Sequence, residues 1–191
     1  MCEKIRCPWP EDIPIYVDYH DKEWGRPVRD DAKLFEMLTL ESMQAGLAWI
    51  TILRKREAFR EAFDGFDPEK IARYDEAKIQ ALMENKGIVR NRLKILAAIN
   101  NAKRFLEVVE KHGSFSKLIW AYVDDTPVTG HWESLEDIPP TTPISERISK
   151  DLKKMGFKFL GPTTIYAFMQ ATGMMNDHIK TCFAYKEIEE G

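Results

Sequence analysis

Disulfides cannot organise this chain, because it holds only three cysteines, Cys2, Cys7 and Cys182, an odd number scattered over 191 residues. It has no leader-like apolar stretch and no apolar run long enough to span a bilayer, so no membrane role and a cytoplasmic location are expected. A net charge of −3 gives no global electrostatic case for nucleic acid. Lysine and arginine gather instead at 54–56, 90–94, 103–104 and 150–158, so any nucleic-acid surface has to be local. Period-two alternation is almost absent, which argues against sheets, and no repeat, low-complexity tract or interdomain linker is visible. An all-α fold follows, expected as a single compact unit over 1–191. A subdivision is conceivable between a helical bundle at 30–160 and a terminal subdomain of 1–29 plus 161–191. A monomer with no protein partner is expected.

What the chain does contain is helical punctuation. Asp30-Asp31 can cap a helix through Leu34, Met37, Leu38 and Ala45, with Gly46 placed to stop it. A second amphipathic stretch holds Trp49, Ile52, Leu53, Phe59 and Phe63. Asp67-Pro68 and Asp75 open further helices, the latter reaching Asn85. The longest candidate runs over 90–112 and ends at Gly113, and Ser114 opens a short helix through Tyr122. Residues 124–143, with four prolines and Gly130, read as the one long loop. Thr142-Pro143 then starts a basic helix ending at Gly156, and Gly161-Pro162 starts one ending at Gly173.

Cysteine and histidine occur together only near the two ends. His178 and Cys182 are four apart, so on a helix they would share one face and could share one ion. Cys7 and His20 would complete a Cys2His2 tetrahedron, the closed set of a structural zinc, and would tie the two termini together. One zinc per chain is expected, and Cys2 is left over. The plain alternative is a buried thiol, a core histidine and an exposed histidine that never meet.

One residue contradicts its helix. Glu41 falls on the apolar stripe marked by Leu34, Met37, Leu38 and Ala45, where a carboxylate is unfavourable unless something satisfies it. It is either a solvated edge, half of a buried ion pair, or an acid facing a pocket. Around it lies much aromatic surface: Trp9, Tyr16, Tyr19 and Trp24 crowd a polar, proline-bearing segment with little helical period, and Trp49 follows eight residues later. Such rings are usually core. Beside a carboxylate they would also suit a flat cationic ligand, favoured by both the ring quadrupole and the negative charge.

Between two helical patterns lies Asn85-Lys86-Gly87-Ile88-Val89-Arg90, an ordinary connection or the hairpin of a helix-hairpin-helix motif. In the second case Gly87 would take a positive φ and let backbone approach a phosphate, with Ile88 and Val89 pinning the hairpin to the core.

Together these elements resemble the 3-methyladenine DNA glycosylase I family, the zinc-containing branch of the helix-hairpin-helix DNA glycosylases, over nearly the whole chain. The matching stretches are Cys7-Pro8-Trp9, Tyr19-His20-Asp21-Lys22-Glu23-Trp24-Gly25, Leu34-Phe35-Glu36-Met37, Gln44-Ala45-Gly46-Leu47-Ala48-Trp49, Gly156-Phe157-Lys158-Phe159 and Asn176-Asp177-His178. The resemblance implies zinc on Cys7, His20, His178 and Cys182, and base recognition by Glu41 with Trp9, Tyr16, Tyr19 and Trp49. It also implies contact with double-stranded DNA carrying alkylated bases, through Lys86, Gly87, Ile88, Val89 and Arg90 and through the Gly46-Leu47 turn. Val89 stands where the wider superfamily has a second hairpin glycine, and Asn91 where its lyases have a nucleophilic lysine, so Schiff-base chemistry is not expected. No aspartate follows the hairpin at the usual catalytic distance, which leaves Glu41 as the candidate catalytic group. The expected activity is monofunctional hydrolysis of the N-glycosidic bond of 3-methyladenine. The alternative is a zinc-stabilised helical module that binds alkylated DNA without chemistry. A zinc hydrolase is disfavoured, because four protein ligands leave the metal no open position.

Overall fold

The computed structural model describes residues 4–190, and the unassigned Cys2 lies outside them. Among the described residues the helices are α1 Pro14–Lys22, α2 Asp31–Gln44, α3 Trp49–Arg54, α4 Arg56–Ala62, α5 Pro68–Ile71, α6 Glu76–Glu84, α7 Arg92–His112, α8 Phe115–Trp120, α9 Pro143–Lys154, α10 Pro162–Ala171 and α11 Phe183–Glu190. The expected all-α class is what the chain adopts. Most boundaries fall where the capping residues placed them. The side chains of Asp30, Asp75, Asn91 and Ser114 accept the backbone N–H three residues on, at 2.8–3.1 Å, each bond stabilising its helix by about 1 kcal/mol. Gly113 ends α7 at φ +84°, a left-handed position that would strain any side chain.

The centre of the fold is α2. Every residue from Leu34 to Met43 is buried, because α7, α8 and α10 pack around it. Glu41 is therefore buried by the central position of its helix and not by a place on one apolar stripe, since α2 is enclosed on all sides. Glu36, on the same helix, is satisfied by Arg56 and Arg60 at 2.8 Å each, and Arg56 also reaches Glu23 at 2.9 Å.

Several local expectations are corrected. The aromatic N-terminal segment is not irregular: residues 14–22 form α1, started by Pro14 at its first position. The stretch 49–63 is two helices, broken at Lys55, whose Nζ donates to the carbonyls of Lys86 and Gly87 at 3.1 and 3.3 Å. The 124–143 loop contributes β1 (Val128–Thr129), paired in parallel with β2 (Met175–Asn176). His178 and Cys182 do not share a helix, since 177–182 is irregular and α11 begins at Phe183.

The two chain ends nevertheless meet. Phe183 N–H donates to Ile5 C=O at 2.8 Å, and Val28 N–H to Thr172 C=O at 2.9 Å. Gly173 permits this crossing, because a Cβ there would lie 2.3 Å from the Arg26 backbone. A small second apolar cluster of Cys7, Ile179, Cys182 and Ala184 forms at the junction, flanked by Trp9, Trp24 and Trp132.

Candidate base-binding and DNA-contact site

A cavity of about 400 Å³ opens where α1, the end of α2, α3, α10 and the 135–140 loop converge. Tyr16 and Tyr19, three apart on α1, share the face that lines it, while Trp9 and Trp24 flank that helix. Trp9 meets Tyr16 edge-on at 4.8 Å between ring centroids, and Tyr19 meets Trp49 at 5.5 Å. Glu41 and Gln44 come from α2 and Trp49 from α3, so Glu41, Trp9, Tyr16, Tyr19 and Trp49 are all brought to one wall system.

Glu41 is 3 % exposed and its Oε2 has no hydrogen-bond partner among the described residues, so neither the solvated-edge nor the ion-pair alternative applies. Burial alone pushes its carboxyl up to about 8. The Tyr16 and Tyr19 hydroxyls are raised too, first by burial and then by the nearby Glu41 charge. Trp49 Nε1 is likewise buried and unpartnered. One unmet acceptor and one unmet donor in an aromatic cavity fit a flat heterocycle presenting both kinds of edge, and the acid favours one that is cationic.

Part of the pocket was not anticipated. Gln44, one helical turn from Glu41, could have been found from its spacing. Leu135, Ile138, Pro139 and Pro140 come from the 124–143 loop, and Thr163, Tyr166, Ala167 and Gln170 from α10. No local pattern marks them. They are held by Asp177, which is fully buried and accepts from Trp132 Nε1 at 2.7 Å, Tyr166 OH at 2.5 Å and Gln170 Nε2 at 2.9 Å, tying the loop to α10.

The ligand atoms of Cys7, His20 and Cys182 lie within 4.8 Å of one another, all buried, which is close enough to hold a metal ion. His178 stands outside that trio but borders it: its ring centroid is 5.0 Å from that of His20, and its Nε2 is buried without a partner. Both imidazoles are oriented from behind, His20 Nδ1 by Asp21 at 2.8 Å and His178 Nδ1 by Asn176 at 3.0 Å. An oxygen at Nδ1 leaves the Nε2 lone pair for a cation. Burial and the neighbouring His20 lower His178 to about 3, so its ring stays neutral. The Cys7 thiol and the His20 ring, whose Nε2 lies 3.5 Å from Cys182 Sγ, favour the Cys182 thiolate and lower it to about 4, while the contact with Cys182 and burial raise Cys7. The donor set fits a thiophilic ion. It adjoins the aromatic residues, for Trp9 lies 5.2 Å from the His20 ring and Trp24 4.6 Å from the His178 ring.

The hairpin lies between α6 and α7. Ile88 is buried and Val89 packs on the core, while Lys86 and Arg90 are exposed. Gly87 departs from expectation in two ways: its φ is not positive, and its N–H is taken by Asn85 Oδ1 at 2.8 Å. Glycine is favoured there by space, since a Cβ would sit 3.0 Å from both Ala58 Cβ and Asn85 Oδ1 and push on them. The unbonded amides among the described residues of this turn are those of Lys86, Val89 and Arg90. Gly46 does adopt φ +83°, and Leu47 beside it is exposed. Lys94, in the first turn of α7, donates to the carbonyls of Met43 and Ala45 at 2.8 and 2.5 Å, so the hairpin and the Gly46-Leu47 turn are adjacent.

A helical frame around a ring-lined cavity with a buried, unpaired acid, next to a basic hairpin, is the arrangement of a base-recognising protein of the DNA glycosylase class. The methyladenine glycosylase family profile matches residues 9–185, and the chain belongs to that family. It is 49 % identical over 177 residues to a DNA-3-methyladenine glycosylase of Haemophilus influenzae, covering 93 % of this chain and 96 % of the relative. It is 46 % identical over 180 residues to DNA-3-methyladenine glycosylase 1 of Escherichia coli K12, covering 94 % and 96 %. A solved structure of a Tyr-to-Phe variant of a 3-methyladenine DNA glycosylase I in complex with 3-methyladenine superposes with a TM-score of 0.91 at 41 % identity, covering 94 % of this chain and 97 % of that one.

Proposed function

We propose that the protein hydrolyses the N-glycosidic bond of 3-methyladenine in alkylated double-stranded DNA, the opening step of base-excision repair. The observation that carries this reading is the buried Glu41 carboxyl, without a partner, inside the aromatic cavity. Methylation at N3 makes adenine cationic and a good leaving group, so recognition becomes most of the catalysis. The nucleotide must leave the stack, at a cost of a few kcal/mol that a damaged base reduces. Tyr16, Tyr19, Trp9 and Trp49 then surround the cationic ring, and Glu41, ionising as the cation enters, accepts from its amino edge. The same charge stabilises the developing sugar cation, which water captures. Neutral adenine gains much less from the pocket and keeps a stronger bond.

Among the described residues no lysine lines the cavity to form a Schiff base. Asn91 caps α7, and Lys94 Nζ is engaged by two carbonyls. The family resemblance implies a zinc ion, and Cys7, His20, His178 and Cys182 fit one; bound there it would be structural, joining the two chain ends with no open coordination position. The hairpin would grip a phosphate through the amides of Val89 and Arg90, with Lys86 and Arg90 adding charge and the Gly46-Leu47 turn meeting the duplex beside it.

Incubation with methylated duplex and identification of the released base tests the reading. The expected product is free 3-methyladenine with the abasic strand left uncut. Damage-dependent binding with no base release would make the protein a binding module instead.

A further inference from the structure

The stretch Gly156-Phe157-Lys158-Phe159 has no part in the pocket, the metal set or the hairpin, yet the fold goes to unusual lengths to hold it. Phe159 sits at φ +57°, a left-handed backbone position unfavourable for an aromatic residue by about 1–2 kcal/mol. The residue is 43 % exposed, so full core burial does not compensate. Two asparagines of α7 clamp the loop. Asn101, 2 % exposed, donates from Nδ2 to Lys158 C=O at 2.9 Å and accepts Lys158 N–H at 2.8 Å, and Asn100 donates to Gly156 C=O at 2.8 Å. A buried amide that fixes the Lys158 backbone, next to a strained, exposed aromatic residue, points to something outside the chain.

Two positions locate that partner. Phe159 is four residues before Thr163 on the cavity rim, so their Cα atoms are at most about 14 Å apart. Asn101 is nine residues from the start of α7, which places the clamp about 14 Å along the helix axis from the hairpin. Along α7 the clamp thus stands about four base-pair steps of duplex from the hairpin. Leu93 and Leu96, both exposed, lie on α7 between them. Exposed Lys103 and Lys158 form no ion pair with a carboxylate among the described residues, so the charge suits a polyanion.

Resting on the DNA-glycosylase reading, we propose that Phe159 is a DNA-contacting residue whose ring packs on the duplex beside the flipped nucleotide, with Lys158 at a neighbouring phosphate. Apolar rings commonly support nucleotides left without a stacking neighbour.

The test compares Phe159→Ala, Phe159→Gly and Phe159→Tyr with wild type in three measurements: affinity for a duplex carrying a tetrahydrofuran abasic analogue, binding of free 3-methyladenine followed by tryptophan fluorescence, and melting temperature. Ala and Gly should weaken duplex binding about tenfold, the scale for losing one stacked ring, and raise KM, with free-base binding unchanged. Tyr should restore affinity. The Gly variant should melt at or above wild type, because glycine tolerates this φ. Wild-type duplex affinity in the Gly variant would overturn the proposal, as would a joint loss of melting temperature and free-base binding, which would make the ring a structural prop. Wild-type protein that binds duplex but releases no base would sink the catalytic reading while leaving the comparison at position 159 fully readable.

Discussion

Replacing Glu41 by glutamine preserves size and one acceptor while removing the charge. In the native fold the carboxyl is raised from an ordinary 4.5 to about 8 by burial alone. A raised acid keeps its proton in the folded state while the unfolded chain ionises above 4.5, so stability falls as pH climbs from 4.5 to about 8 and then levels. At about 1.4 kcal/mol per unit, the penalty is about 3 kcal/mol at pH 7 and approaches about 5 kcal/mol above pH 8, as an upper bound. The Glu41→Gln protein escapes it. Its melting temperature should match wild type near pH 4.5 and exceed it by a growing margin toward pH 8. Excision should move the other way, falling by a factor on the order of ten to a thousand, the range for losing one preorganised electrostatic contact on a labile substrate. Single-turnover release of 3-methyladenine from one methylated duplex, measured beside melting curves at several pH values, checks both. Equal excision rates would remove Glu41 from the mechanism. A variant that melts lower at pH 8 would mean that the acid has a partner which the fold described above does not provide.

Proton linkage gives a second expectation: binding a duplex with cationic 3-methyladenine at pH 7 should release up to about one proton as Glu41 ionises, seen as buffer-dependent enthalpy in calorimetry, and kcat/KM should rise toward pH 8. Buffer-independent enthalpy would contradict it. Cys182→Ala should lower metal content and melting temperature together, because the two chain ends share that site; a full equivalent of zinc with unchanged stability would rule the site out. Gly87→Val should weaken binding to damaged and undamaged duplex alike and lower stability by about 1–3 kcal/mol, since its side chain would press on Ala58 and Asn85 at contacts already 3.0 Å at Cβ. Unchanged affinity at matched salt would move the phosphate grip away from the hairpin.

Local signals settled the secondary structure where a residue acts within its own turn. Asp30, Asp75 and Ser114 cap the helices that they were read to cap, and Gly113 stops α7, because capping depends on atoms three or four residues away. Residue chemistry also marked Glu41 as an anomaly and the cysteine–histidine sets as candidates. What local pattern misjudged was enclosure and approach. The α1 helix was hidden because its tyrosines face a cavity rather than a repeating core, and Gly87 was read for its torsion when its neighbour across space, Ala58, is what favours glycine. The second wall of the pocket, from the 124–143 loop and α10, left no trace in spacing, because Asp177 assembles it across about forty-five residues of chain. Tertiary packing alone decided whether Glu41 would find a partner. The enclosure of α2 gives it none among the described residues, and a buried acid on the cavity wall with no paired cation is ready for a cationic base.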